Sequence, residues 1–120
     1  MRVTESFVNA FHGLKDCIRH EKNFRVQYVI AILIVIAGIF FKLNQTEWLV
    51  IFICFAMVLS FEIINSAIEK LCDLVCPDFN LTIKKVKDMA ASAVLLSAII
   101  SFLIGCIIFL PKIKMLLFNK

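Results

Sequence analysis

Glycine is scarce in this 120-residue chain: there are three, Gly13, Gly38 and Gly105, and they stand far apart. That spacing excludes both a Walker A loop and the glycine-rich loop of protein kinases. Histidine is limited to His12 and His20, which fall off the apolar stripe of their segment or near an interface and read as surface residues. The five cysteines, Cys17, Cys54, Cys72, Cys76 and Cys106, make an odd set with no repeated pair spacing, so no disulfide framework is implied. Cys72 and Cys76 can share a helix face, but no His or further Cys is near to complete a zinc site, and they read as packed or lipid-facing thiols in a reducing compartment. Basic residues sit beside apolar runs rather than interleaving with aromatics on a polar face, so the net charge of +4 is not a nucleic-acid footprint. No repeat or low-complexity segment occurs. The first twenty-odd residues carry charge throughout, unlike the apolar core of a signal peptide.

What is abundant is apolar surface. The hydrophobic share is 62% and the mean hydropathy +0.95, against roughly 45–50% apolar residues in soluble domains. This is a membrane protein with room for one domain, residues 1–120. Near the N-terminus, Val3, Phe7, Phe11, Leu14 and Ile18 fall on one narrow stripe at helical spacing, with Lys15, Asp16, Arg19 and Lys22 off it. The pattern predicts an amphipathic helix lying on a membrane surface over about 3–23. Continuing that wheel puts Glu21 on the apolar stripe, where a carboxylate needs a partner.

Three uncharged runs follow, YVIAILIVIAGIFF, WLVIFICFAMVLSF and MAASAVLLSAIISFLIGCIIFL. With their flanks they predict transmembrane helices over about 25–42, 48–69 and 89–110. KLNQTE is a short polar turn, Trp48 an interfacial anchor, and PDFNLTIKKVKD a longer polar connection in which Pro77 ends the preceding helix. Arg2, Lys15, Arg19, Lys22 and Arg25 precede the first span, and Lys70, Lys84, Lys85 and Lys87 lie between the last two, against Lys42 alone between the first two. That bias predicts a cytoplasmic N-terminus and 70–88 segment. Lys112, Lys114 and Lys120 pull weakly the other way.

The second span ends in an unusual sequence, FEIINSAIEKLCD. On a helical wheel Glu62, Asn65, Glu69 and Asp73 occupy an arc of about 80°. Ionisable residues in a span are costly and mark function by default. Counted from Trp48, Glu69 lies about 32 Å along the helix and Glu62 about 21 Å, so one carboxylate reaches the cytoplasmic boundary and the other stays among lipid. Lys87 and Asp88 open the third span at the level of Glu69. Carboxylate oxygens beside an ammonium suit Mg²⁺ and nucleotide phosphates. The pattern points to an enzyme acting on a lipid headgroup from the cytoplasmic side. Blander readings stand beside it: Lys70, Asp73, Lys84 and Lys85 as a solvated helix end and topology signal, and Glu62 with Asn65 as an interhelical hydrogen bond that specifies assembly.

The strings GLK and EKNFR near the N-terminus, TEW at 46–48, EIINSAIEKLCDLV at 62–75, KDMAASAVLLSA at 87–98 and IIFLP at 107–111 span nearly the whole chain. In them it resembles the small prokaryotic diacylglycerol kinase and undecaprenol kinase family of bacterial plasma membranes. The resemblance implies an all-α membrane protein with an N-terminal surface helix and three transmembrane helices. It also implies a homotrimer with active sites shared between subunits, an arrangement in which Glu21 and Glu69 of one site can come from different chains. ATP would be the phosphoryl donor. Glu62 matches the proposed general base, Glu21 and Glu69 the Mg²⁺-binding carboxylates, and Asn65, Lys87 and Asp88 nucleotide-site positions. Asp73 matches a further acidic position. In PDFN, Asp78 and Phe79 keep the family's character, whereas Asn80 departs from it; Asp78 and Asn80 are candidate nucleotide contacts. Asn9 departs in the same way. TEW and IIFLP resemble the Gram-positive branch, which favours undecaprenol as acceptor over diacylglycerol. A trimeric membrane scaffold without catalysis is the reading of another class.

Overall fold

A computed structural model describes residues 2–118 as four helices: α1 (Val3–His20), α2 (Lys22–Phe40), α3 (Gln45–Val75) and α4 (Leu81–Phe118). Lys120 lies outside the described residues. The last three helices are each long and apolar enough to cross a membrane, and α2, at 19 residues, is about 28 Å long, close to the hydrocarbon thickness of a bilayer. The molecule measures 59 × 39 × 22 Å, a thin slab rather than a ball.

In α1 no residue is buried, and the stripe of Val3, Phe7, Phe11 and Leu14 faces away from the rest of the chain. An apolar stripe that the chain does not cover needs another apolar medium, as in a helix lying at a membrane surface. α1 stops at His20 without a glycine or proline. Glu21 takes an extended conformation (φ −105°, ψ 105°), and Arg25 Nη1 donates to the Arg19 carbonyl at 2.5 Å, which ties the two helices across the corner. The stripe therefore ends before Glu21, whose side chain turns to α3.

α3 packs chiefly against α4, and α2 meets α3 closely at the turn that joins them. α2 closes with Lys42 in the left-handed region (φ 54°), the Lys42 amide donating to Ile39 and the Leu43 amide to Gly38. This two-bond C-cap normally takes glycine at the position of Lys42. α3 opens with Asn44 and Glu47 capping each other's amides at 3.0 and 2.9 Å. Trp48 stacks on Phe52 and lies directly over Gly38, where an added Cβ would sit 2.6 Å from the indole and 2.9 Å from Leu43. Gly38→Ala should therefore lose stability. Overpacking of about 1–3 kcal/mol exceeds the about 0.5–1 kcal/mol gained by removing a glycine from a helix. Detergent-titrated unfolding in mixed micelles should register a net loss of about 1 kcal/mol, and an unchanged midpoint would mean that the indole swings aside freely.

α4 begins earlier and ends later than the apolar run inside it. Asn80 Oδ1 accepts the amides of Thr82 and Ile83 at 2.9 and 3.1 Å. That cap starts the helix at Leu81, so the polar connection shrinks to 76–80. At the other end the helix continues through Pro111. Proline removes one backbone bond, but tertiary contacts hold the chain on both sides of it. Phe109 packs edge-on against Phe41 at 6.0 Å, and Lys112 pairs with Glu47 at 3.2 Å. The capping bond from Asn44 and the Lys112 ammonium hold the Glu47 carboxyl below its usual range.

Candidate active site

One face of α3 runs through the middle of the molecule. Ile51, Cys54 and Val58 bury its first half, and Glu62, Asn65, Ser66 and Cys72 its second. The change from apolar to polar happens without a change of face, because all these positions recur at helical spacing. Glu62 is the most enclosed of the polar group, at 3% exposure, and the charges of Glu69 and Glu21 both act on it. α3 supplies Glu62 and Glu69, the corner between α1 and α2 supplies Glu21, and the first turns of α4 supply Lys87.

Each outer carboxylate has a partner of its own. Asn65 Nδ2 donates to Glu69 Oε1 at 3.3 Å. Glu21 Oε1 lies 3.3 Å from the Lys70 ammonium. Lys87 Nζ donates to Asp73 Oδ1 at 2.5 Å, and that bond, with the nearby charge of Glu69, pushes the Lys87 pKa up, so the side chain remains a full ammonium at neutral pH. Cys17 stands near Glu21 and Lys70; partial burial first, and the Glu21 charge second, push its thiol above the usual range and keep it protonated.

Among the described residues neither Glu62 nor Glu69 has an ion pair, and Asn65 Oδ1 is buried with no hydrogen-bond partner. A buried acceptor left open costs stability unless something fills it. The donors gathered here, the Glu21 and Glu69 carboxylates and that amide oxygen, are all oxygens and suit a hard divalent cation. An ion of the Mg²⁺ kind is held by one or two carboxylates and completed by substrate phosphates; among the described residues no three His, Cys, Asp or Glu side chains come together as a metal cluster by themselves.

The remaining sequence candidates lie to one side. Asp73, Asp78, Asn80, Lys84 and Lys87 line a shallow pocket of about 210 Å³ over the 76–80 loop. Asp88, about 100° around the helix from Lys87, pairs with Lys84 at 2.6 Å. Glu21, Glu62, Asn65, Glu69, Asp73 and Lys87 are thus brought together within one chain, while Asp78, Asn80 and Asp88 stand at its margin. Sequence reasoning missed the Lys70–Glu21 pair and the cap made by Asn80. The first needs the fold, whereas the second was signalled by an Asn just ahead of a helical pattern. Asn80→Ala should cost about 1 kcal/mol of stability and leave the KM for nucleotide within about twofold; a tenfold rise would make Asn80 a nucleotide contact.

On the polar side of Glu62 lie oxygen ligands and a fixed ammonium. On its apolar side an open cavity of about 430 Å³ between α2, α3 and α4, lined by Ile34, Ile51, Val58, Phe102 and Phe109 among others, ends one turn away. A carboxylate between a phosphate-compatible cluster and a lipid-compatible groove is what phosphorylation of a lipid alcohol requires.

Residues 8–109 match the family described as prokaryotic diacylglycerol kinase. An undecaprenol kinase of Bacillus subtilis is 38% identical over 112 residues, covering 93% of this chain and 91% of that one. A diacylglycerol kinase of Helicobacter pylori is 38% identical over 99 residues, covering 82% and 77%. One from Escherichia coli is 25% identical over 107 residues, covering 89% and 88%. With three membrane-length helices, a carboxylate buried on the face of the second, and a family match across most of its length, the chain belongs to the prokaryotic diacylglycerol kinase family of ATP-dependent membrane lipid kinases.

Proposed function

We propose that the chain transfers the γ-phosphate of ATP to the hydroxyl of undecaprenol, giving undecaprenyl phosphate and ADP. The observation that carries the reaction type is Glu62, buried on the α3 face between the apolar groove and the Glu21, Glu69 and Lys87 cluster. The lipid hydroxyl oxygen forms a bond to the γ-phosphorus while the bond to the β,γ-bridging oxygen of ATP breaks. Glu62 orients the hydroxyl and takes its proton. Lys87 balances charge on the transferred group, and Glu21 and Glu69, with Asn65 behind Glu69, would hold Mg²⁺. Bound there, Mg²⁺ neutralises phosphate charge, which is most of what phosphoryl transfer asks of a protein beyond positioning. Asp73 fixes Lys87, and Asp78 and Asp88 border the nucleotide, while Asn80 caps α4 beside them.

Undecaprenol is favoured over diacylglycerol by the TEW and IIFLP strings and by the likeness to the Bacillus subtilis enzyme over 91% of that protein. The basic bias around 2–25 and 70–87 supports a cytoplasmic N-terminus and active site.

Assembly as a homotrimer is supported by the small residues Ala91, Ser92 and Ala93, which α4 leaves exposed for close helix approach. The margin holding Asp78 and Asp88 is also open to a neighbour. A neighbour seated there would close that margin over the nucleotide.

The test is ATP consumption by the purified protein with undecaprenol and with diacylglycerol, followed by isolation of the lipid phosphate. Faster turnover with undecaprenol is expected. Preference for diacylglycerol would reverse the acceptor assignment, and no consumption with either would favour a scaffold whose polar face serves assembly.

A further inference from the structure

Lys70 is unused by the chemistry above, yet its ammonium stands 3.3 Å from a carboxylate assigned to the metal. It follows Glu69 directly, about 100° further around α3, so it cannot share the inward face. Its side chain is 67% exposed while that of Glu21 is 22% exposed. The ammonium therefore reaches the site from the water side.

Glu21 is also the corner residue between α1 and α2. The Lys70–Glu21 pair is thus both a charge balance and a tie between the surface helix and α3. The inward carboxylates have different partners: Glu69 is held by Asn65, and Glu62 has no cationic partner among the described residues.

We propose that Lys70 is a resident counter-cation for Glu21 that competes with the divalent ion, so that metal entry displaces the ammonium to solvent and Lys70 sets the metal concentration at which the site fills. The proposal rests on the reading that Glu21 ligates the metal. A positive charge beside the site opposes a second, divalent one, and an ion pair this exposed is weak enough to yield. Losing the pair also frees Glu21 a little. Its backbone is held by helices on both sides, so the removed charge dominates. Exposure limits the effect to about threefold to tenfold in affinity, and it should shrink as salt rises.

The experiment uses the full-length protein in detergent with a non-hydrolysable ATP analogue, and Mn²⁺ counted by the paramagnetic resonance of the free ion. Lys70→Met should bind Mn²⁺ about threefold to tenfold more tightly, Lys70→Arg should stay within about twofold of the parent, and Glu21→Gln should bind more weakly. Without metal, trypsin should cut at Arg19, Lys22 and Arg25 faster in Lys70→Met, because the tie across the corner is gone. A merely structural role for Lys70 would alter cleavage without tightening Mn²⁺ binding. If Glu21→Gln weakens Mn²⁺ binding but Lys70→Met leaves it unchanged or weaker, the competition is refuted and the metal assignment stands. If Glu21→Gln leaves Mn²⁺ affinity unchanged, the metal assignment falls and this proposal falls with it.

Discussion

Glu62→Gln is expected to lower kcat by about 10²-fold or more, the cost typical of a lost general base, with folding and nucleotide binding nearly intact. Glutamine matches the size of glutamate and keeps one acceptor oxygen, so the buried position stays filled. The substitution also removes the repulsion that the charges of Glu69 and Glu21 exert on a Glu62 carboxylate. Stability should therefore hold or rise, and any loss of turnover reports chemistry rather than collapse. Single-turnover transfer measured beside thermal unfolding separates the two. Near-normal transfer would leave Glu62 as an assembly residue, the role that its pairing with Asn65 first offered.

The features legible in the sequence are those set by one helix at a time. The apolar runs and their lengths predict the three spans, and helical spacing alone puts Glu62, Asn65, Glu69 and Asp73 on one face. Features set between helices were not legible. Nothing local to Lys70 distinguishes it from a solvated helix end; its partner sits 49 positions earlier (70 − 21) at a corner formed without glycine or proline. Lys87 and Asp73 are likewise joined only because α4 packs back on α3. At Pro111 the local rule expected a boundary, and the contacts of Phe109 and Lys112 overrode it. Asn80 is the opposite case: an Asn just ahead of a helical pattern is a local signal for a helix cap, and it caps α4.

The metal assignment predicts a second large effect, read in combination. Glu21→Gln and Glu69→Gln should each weaken Mg²⁺-dependent ATP binding, and the double variant should be little worse than the poorer single one. Two ligands of one ion are coupled because the ion lost with the first cannot be lost again, and such coupling runs to about 0.5–3 kcal/mol. The two single variants should not be equal. In Glu69→Gln the new amide oxygen can still accept from Asn65 Nδ2, as Glu69 does at 3.3 Å, so the remaining donors keep their places. In Glu21→Gln the Lys70 ammonium, now 3.3 Å from a charged carboxylate, loses its counter-charge and is left facing the site, where it repels the incoming ion. Glu21→Gln should therefore be the poorer single variant, and adding Lys70→Met to it should recover part of the affinity by removing that stray charge. The measurement is ATP affinity titrated against Mg²⁺ for all four variants. Losses that simply add would show Glu21 and Glu69 acting at separate places, and no recovery with Lys70→Met would show that the stray ammonium does not reach the ion.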